Sequence, residues 1–374
     1  MTPHEGLLVA EELPAGLRGD EEAPAGGLGD VAPHGVAQSV SNKVSSGSPI
    51  DSPRTLGLTW PAPIRIVIRT VVVPATTFVV ATFAIFAALT MTAGDPVSQL
   101  LGPRATDAQR EAMRADLGLD DPLLIRYWHW LTSALHGDFG LSTVYRSPVV
   151  DLISARLGVT LFLVVYAGLM VLLFGLSLGI LGAVFRPLRP IVVALNGLLI
   201  AIPSYVAAFI LISTLAVGLH WFPTSGTGEG FTDELHHLTL PAIALALGWI
   251  AYLSQMTRAA VLNELDAEHV ATARGRGLPP GVVFRRHVLR NAAGPIITVA
   301  GTIVAYLVTG AVIVEATFGV DGLGSFLVKS VASKDTNVVL AINLLLVTVF
   351  VASSTLVELI QRALDPRVRQ DGPR

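Results

Sequence analysis

The run VTLFLVVYAGLMVLLFGLSLGILGAVF, residues 159–185, contains no charged side chain from end to end. A bilayer core about 30 Å thick requires roughly 20 apolar residues in a helix. Because the run exceeds that length, it predicts a membrane-spanning helix. The composition of the whole chain agrees, with 52% hydrophobic and 14% charged residues, whereas globular domains usually carry about 25% charged residues.

Five further apolar stretches reach the same length. They cover residues 70–91, 191–219, about 238–262, 296–318 and about 338–361. Prolines fall inside or at the ends of some of these stretches, and membrane helices tolerate such kinks where neighbouring helices satisfy the freed carbonyls. We therefore predict an all-α, polytopic membrane protein with six transmembrane helices.

The remaining stretches complete the predicted organisation. Residues 1–60 are rich in Gly, Pro, Ala and Ser without apolar periodicity, which is typical of a disordered tail; a wrongly assigned start codon and a regulatory docking tail are the alternatives. We expect the first transmembrane helix and an extracytoplasmic loop in 61–157, a five-helix core in 158–364, and a short tail in 365–374. The chain has no cysteine, so disulfides and thiolate metal sites are excluded.

The distribution of Arg and Lys predicts the orientation. Arg186 and Arg189 follow the second span without an acidic residue, and the connection 262–293 carries five arginines, whereas 220–237 has neither Arg nor Lys. Cytoplasmic loops carry an excess of Lys and Arg. Both termini and the loop 262–293 are therefore expected in the cytoplasm, and 220–237 on the opposite side.

The cytoplasmic loop contains the stretch EHVATARGRGLPPGVVFRRHVLRNAAGP, residues 268–295. It predicts two short helices, about Leu262–Arg276 and a second that begins at Pro280, since proline is tolerated in a first helical turn. Small residues recur four positions apart in the first helix: Ala271 with Gly275, and Ala273 with Gly277. Anchoring of the arginines at anionic headgroups is the alternative, but it requires no such stripe. We interpret the loop as a docking surface for a cytoplasmic partner.

The same loop resembles that of binding-protein-dependent ABC importer permeases. Their pattern is Glu-Ala-Ala, three residues, Gly, nine residues, Ile-x-Leu-Pro, and Gly277 aligns with the glycine. The departures Ala271, His287 and Arg290 match the dipeptide, oligopeptide and nickel branch, whose loop is similar to TARGRGL (272–278) and RHVLRNAAGP (286–295). This identifies the chain as similar to that branch.

Three further motifs carry the resemblance across about residues 62–370. They are AGDPV (93–97), LGLDDPLLIRYWHWLTSALHGDFGLS (117–142) and EATFGVDGLG (315–324). The resemblance implies a type I ABC importer permease fold in a bacterial inner membrane. It also implies four partners besides membrane lipid: a second homologous but distinct permease, two cytoplasmic ATPase subunits and an extracytoplasmic solute-binding protein. The implied substrates are di- or oligopeptides, with nickel or a nickel chelate as the close alternative.

The resemblance also implies which residues form the ATPase-coupling site and the translocation path. Those implied for ATPase coupling are Glu268, Ala271, Thr272, Ala273, Arg274, Gly277 and Leu278. Those implied for the translocation path are Pro203, Ser204 and Glu315. In the external loop, LLIRYWHWL (123–131) places Ile125, Trp128 and Leu131 on one side, and this pattern favours anchoring at headgroup level over contact with a ligand.

Other classes of function fit the residues poorly. The stretch GLGSFLVKS (322–330) lacks the second glycine of a phosphate-binding loop, so ATP hydrolysis is expected in partner subunits. A proton-coupled carrier usually has ionisable groups inside its spans, but here Glu315 and Glu358 lie near span ends. Ser204 has no histidine within a span to activate it as a protease nucleophile would require. No cofactor, metal or nucleic acid is implied.

Overall fold

The computed structural model describes residues 68–92, 97, 101–102, 104–116 and 118–364. The predicted tails 1–60 and 365–374 lie outside the described residues. Helices account for the regular structure of the described part. The α-helices of eight or more residues are α1 (Val73–Thr92), α2 (Asp107–Asp116), α3 (Leu123–Leu135), α4 (Val149–Val184), α5 (Arg189–Ala201), α6 (Ser204–Leu211), α7 (Phe231–Leu265), α8 (Glu268–Gly275), α9 (Arg290–Phe318), α10 (Leu323–Ala332) and α11 (Thr336–Leu364).

Five helical segments of the described chain are long and apolar enough to cross a membrane. They are Thr70–Met91, Val149–Val184, Phe231–Leu265, Pro280–Phe318 and Thr336–Ile360. A sixth crossing is formed if the bent pair Arg186–Ala201 and Ser204–Gly218 counts as one span. The expected all-α, polytopic membrane fold is confirmed.

The predicted third span is broken rather than continuous. Its two halves meet at an angle of 98°, with Ile202 extended at φ −90° and ψ 112° between them. Proline disfavours helical geometry at the preceding residue, and Pro203 has no backbone N–H to continue the helix. The sequence 191–219 therefore forms α5 and α6 instead of one straight helix.

Glycines let α4 and α7 approach closely. A Cβ atom at Gly175 would lie 3.0 Å from Cβ of Leu253, and one at Gly179 would lie 2.6 Å from Cβ of Thr257. The four-residue spacing of these glycines places both on one face of α4, as in small-residue packing of membrane helices. Around this contact, buried apolar side chains of α4, α7 and α9 form the main core, among them Leu163, Leu253 and Leu307.

The boundaries of several segments differ from the sequence prediction. The second membrane helix begins at Val149, so the boundary expected between 157 and 158 falls inside it. The expected cytoplasmic helix 262–276 is divided, because α7 continues to Leu265 and α8 begins at Glu268. The second helix expected in the cytoplasmic loop is the first part of a longer apolar helix, the predicted fifth span, which runs from Pro280 to Phe318.

The loop between the first two spans is fixed to the start of α11. Asp335 is fully buried and accepts a hydrogen bond from Oγ of Ser142. Its carboxylate also accepts the backbone N–H of Thr143 at 3.3 Å and that of Val144 at 3.4 Å. Nearby, Nδ2 of Asn337 donates to the carbonyl of Leu141 at 2.8 Å. These bonds hold residues 141–145 against the start of α11.

Candidate functional site

The candidate site begins with α8, the short helix in the loop 262–293, which the sequence predicts to be cytoplasmic. Ala267 is extended at its N-terminal end, and Glu268 places a negative charge in the first turn, where it complements the helix dipole. At the other end Gly277 has φ +77°, and its N–H donates to the carbonyl of Arg274 at 2.9 Å. This left-handed conformation strains any residue other than glycine, so Gly277 ends the helix.

One side of α8 is fixed to the membrane helices by apolar contacts. Val270 and Ala273 are buried in a cluster with Val261 of α7 and with Val283 and Val288, which precede α9. Because buried side chains pack to near-crystalline density, a displacement of α8 would also displace α7 and the segment that precedes α9.

A polar contact fixes the first turn of α8 to the same neighbours. Nε2 of His269 lies 3.4 Å from the carboxylate of Glu264 and 3.2 Å from the carbonyl oxygen of His287. Nδ2 of Asn291 lies 3.0 Å from the same ring nitrogen and donates to that carbonyl at 2.9 Å. His269 therefore joins the end of α7 to the start of the fifth span.

The opposite side of α8 is open. The exposed residues of α8 and of the turn that follows it include Glu268, Ala271, Thr272, Arg274, Gly275, Gly277 and Leu278. A Cβ atom at Gly275 or at Gly277 would meet nothing within 4 Å. Six of the seven residues expected to couple the ATPase are thus exposed. Ala273 is the exception, because its side chain is buried in the apolar cluster that fixes α8 to its neighbours.

The break in the third span forms a second candidate region. Pro203 is exposed and Ser204, the first residue of α6, is partly exposed. Thirteen helical residues of α5 rise about 19 Å, so if α5 begins at a membrane surface, the break lies within the roughly 30 Å apolar core. The first N–H groups of α6 have no acceptor within the helix, and lipid offers none. Irregular backbone at such depth is tolerated only in protein contacts or beside a water-filled cavity.

Glu315, expected on the translocation path, is instead enclosed by protein. It is fully buried, and its carboxylate accepts bonds from Oγ1 of Thr160 at 2.7 Å, from the N–H of Gly324 at 2.7 Å and from the N–H of Ser325 at 3.3 Å. Thr160 in turn accepts the N–H of Leu323 at 2.8 Å. The motif EATFGVDGLG thus caps the N-terminus of α10 and joins α4, α9 and α10.

Sequence reasoning missed the contact at His269 and the buried Asp335. The motif RHVLRNAAGP signalled His287 and Asn291, but no residue pattern indicated that they would meet His269, eighteen and twenty-two positions away. Asp335 had one available signal, since an acidic residue beside the start of an apolar run is costly unless its carboxylate is bonded.

Comparison with known proteins defines the class of protein. Residues 175–370 match the family of the binding-protein-dependent transport system inner membrane component, and residues 63–164 match the N-terminal family of the same membrane components. The chain belongs to this family of transport-system permeases.

Individual relatives share most of its length. The glutathione transport system permease protein GsiC of Escherichia coli (strain K12) is 34% identical over 297 residues, which cover 78% of this chain and 95% of the relative. GsiC of Shigella dysenteriae serotype 1 (strain Sd197) gives the same values.

Among solved structures, the crystal structure of an amino acid ABC transporter with histidines is 19% identical, with a TM-score of 0.47 over 57% of this chain and 94% of that chain. An inward-facing MetNI methionine ABC transporter is 21% identical, with a TM-score of 0.43 over 59% of this chain and 97% of that chain. Such weak likeness adds nothing to the family assignment.

Proposed function

We propose that this permease is one of two homologous subunits of an importer for di- or oligopeptides, driven by two separate cytoplasmic ATPase subunits and supplied by an extracytoplasmic solute-binding protein. The observation that carries the proposal is α8, a helix with one open side of small residues and one side fixed to two membrane helices. An ATPase surface can approach the open side closely, because Ala271 and Gly275 present almost no side chain.

The contacts that fix α8 to α7 and to the fifth span support a mechanism of alternating access. Closure of the ATPases on ATP displaces α8, and the buried contacts of Val270 and the polar contact of His269 carry that displacement into α7 and the fifth span. Both helices belong to the main core with α4, so the bundle changes its opening from one side of the membrane to the other. The chain needs no ATP-binding loop of its own for this role.

The break at Pro203 supports a place on the translocation path. Its free backbone groups need polar surroundings at membrane depth, and a path that carries peptides supplies water there. We therefore include Pro203 and Ser204 in the path, and assign Glu315 to the architecture of the external side because its carboxylate is already satisfied by protein.

The substrate class is supported by the relatives. The GsiC proteins are glutathione transport permeases, and glutathione is a tripeptide.

The proposed orientation has α8 and both termini in the cytoplasm. It is supported by the arginine-rich loop and by the absence of Arg and Lys in 220–237.

The test uses Gly275→Trp with Gly281→Trp as its matched control. Both glycines are exposed with open space around them, and neither has a positive φ, so the indole adds bulk without strain. Only Gly275 lies on α8. Gly275→Trp is expected to abolish co-purification of the ATPase and uptake of a labelled dipeptide, while Gly281→Trp retains both.

Three outcomes contradict parts of the proposal. Full uptake and co-purification in Gly275→Trp would show that α8 is not the ATPase site. Equal loss in both variants would show a general defect of the loop. Uptake of nickel but of no peptide by the intact transporter would replace the substrate class and leave the coupling role standing.

A further inference from the structure

The external helix α3 is fixed to the first membrane span along one side. The hydroxyl of Tyr127 lies 2.8 Å from Oγ1 of Thr82 and 3.2 Å from the carbonyl oxygen of Val79. The ring centroid of Tyr127 is 5.2 Å from that of Phe83 and 5.7 Å from that of Phe86, both edge-on. These contacts determine where α3 sits along the span.

Two independent measures give the depth of α3. Thr82 precedes the end of the span, Met91, by nine residues, which is about 13 Å at 1.5 Å per residue. The same apolar cluster includes Leu340 and Leu344 of α11, which lie about 6 and 12 Å from the start of that helix at Thr336. Both measures place the buried side of α3 below the ends of the spans, within the thickness of the bilayer.

The exposed surface of α3 is divided between apolar and polar residues. Leu124, Trp128 and Leu135 are 67%, 57% and 66% exposed, and their spacing of four and seven residues places them on one flank of the helix. The back of the helix carries different side chains: His129, Ser133 and His136, all exposed. Interfacial helices divide in this way, with the apolar side about 5–10 Å inside the boundary between headgroups and acyl chains.

We propose that α3 is an interfacial helix whose flank of Leu124, Trp128 and Leu135 is covered by phospholipid of the adjacent leaflet, the outer leaflet in the proposed orientation. The first span beside it is only 11% buried within the protein, so the flank continues an apolar surface that already lies at membrane depth. Trp128 suits the headgroup boundary, where indole rings concentrate. Of the side that the sequence predicts to anchor, Trp128 lies on this flank and Ile125 is exposed, but Leu131 is buried, while Leu124 and Leu135 join the flank. The anchoring itself stays a prediction.

The proposal explains how the external loop stays in place. The α3 helix is held by the first span on one side and by lipid on another, and the segment that follows it is held by Asp335. The loop is therefore a fixed platform at the membrane surface, independent of which solute-binding protein meets it.

The absence of cysteine allows a direct test by spin labelling. Leu124→Cys and Leu135→Cys report on the flank, and His129→Cys and Ser133→Cys report on the back; all four positions are exposed, so the core stays intact. Each variant is labelled as the full-length chain, purified with its co-expressed subunits and placed in nanodiscs of phosphatidylethanolamine and phosphatidylglycerol. Accessibility to oxygen, which concentrates in lipid, is compared with accessibility to a water-soluble nickel chelate.

The expected result is a high oxygen-to-nickel ratio at Leu124 and Leu135 and a low ratio at His129 and Ser133. Nickel access at Leu124 equal to that at His129 would place α3 in water and overturn the proposal. Protection of Leu124 and Leu135 from both reagents would show that a protein subunit covers the flank, and would also overturn it.

Discussion

Removal of the Glu315 carboxylate should destabilise the packing of α4, α9 and α10. In Glu315→Ala, the N–H groups of Gly324 and Ser325 and the hydroxyl of Thr160 lose their buried acceptor. Each such bond contributes about 1–2 kcal/mol and a buried donor without an acceptor costs a similar amount, so the substitution should cost about 3–6 kcal/mol. At about 2 °C per kcal/mol for a chain of this size, the melting temperature should fall by roughly 6–12 °C.

The assay is the loss of the monodisperse peak of the detergent-purified chain after heating. Thr317→Val is the matched control, because its side chain is only partly buried and its hydroxyl donates to the carbonyl of Ile313 within the same helix. Thr160→Val should lower the melting temperature by an intermediate amount, and its effect should be smaller in the Glu315→Ala background because the two groups share a bond. If Glu315→Ala melts within 2 °C of the control (well below the roughly 6 °C expected), the carboxylate is not the cap of α10.

Three further predictions follow from other parts of the chain. In intact cells, an impermeant thiol reagent should label Ser225→Cys and leave Asn263→Cys unlabelled, and the reverse pattern would contradict the orientation. Gly179→Ala should lower thermal stability by about 1–3 kcal/mol through overpacking against Thr257, whereas a matched Ala at Gly168, where the nearest atom would be 3.6 Å away, should not. His269→Ala should lower the peptide imported per ATP hydrolysed while the ATPase still co-purifies, and His269→Gln should restore part of the ratio; an unchanged ratio in His269→Ala would exclude a role in coupling.

The placement of the five continuous apolar helices could be predicted because hydropathy is a local property. A continuous apolar run crosses lipid whatever its neighbours are, since a helix satisfies its own backbone. The 98° bend could be predicted only in part. Pro203 indicates an interruption of the helix, but the angle depends on the packing of α5 and α6 against α7. The start of α4 at Val149 was missed because its first turns lie beyond the apolar run.

The site could be predicted only where the signal was local as well. The exposed small residues of α8 followed from the four-residue spacing of Ala271 and Gly275. The inward orientation of Ala273 could not be predicted from that spacing, because it depends on Val261 and Val288, which come from other segments. The enclosure of Glu315 could not be predicted for the same reason: its partners Thr160 and Gly324 meet it only when α4 and α10 pack together.

The central claim is that α8 receives the motion of an ATPase, and crosslinking tests it most directly. Ala271→Cys, on the open side of α8, carries a benzophenone maleimide in the full-length chain expressed with its neighbouring transport genes. Asn263→Cys is the control, since it is exposed in the same loop but lies before α8. The account predicts that light joins Ala271→Cys to a protein whose peptides contain a phosphate-binding loop, and that Asn263→Cys gives little of this product. Adducts with lipid alone at Ala271, or equal capture of the ATPase at both positions, would contradict the claim.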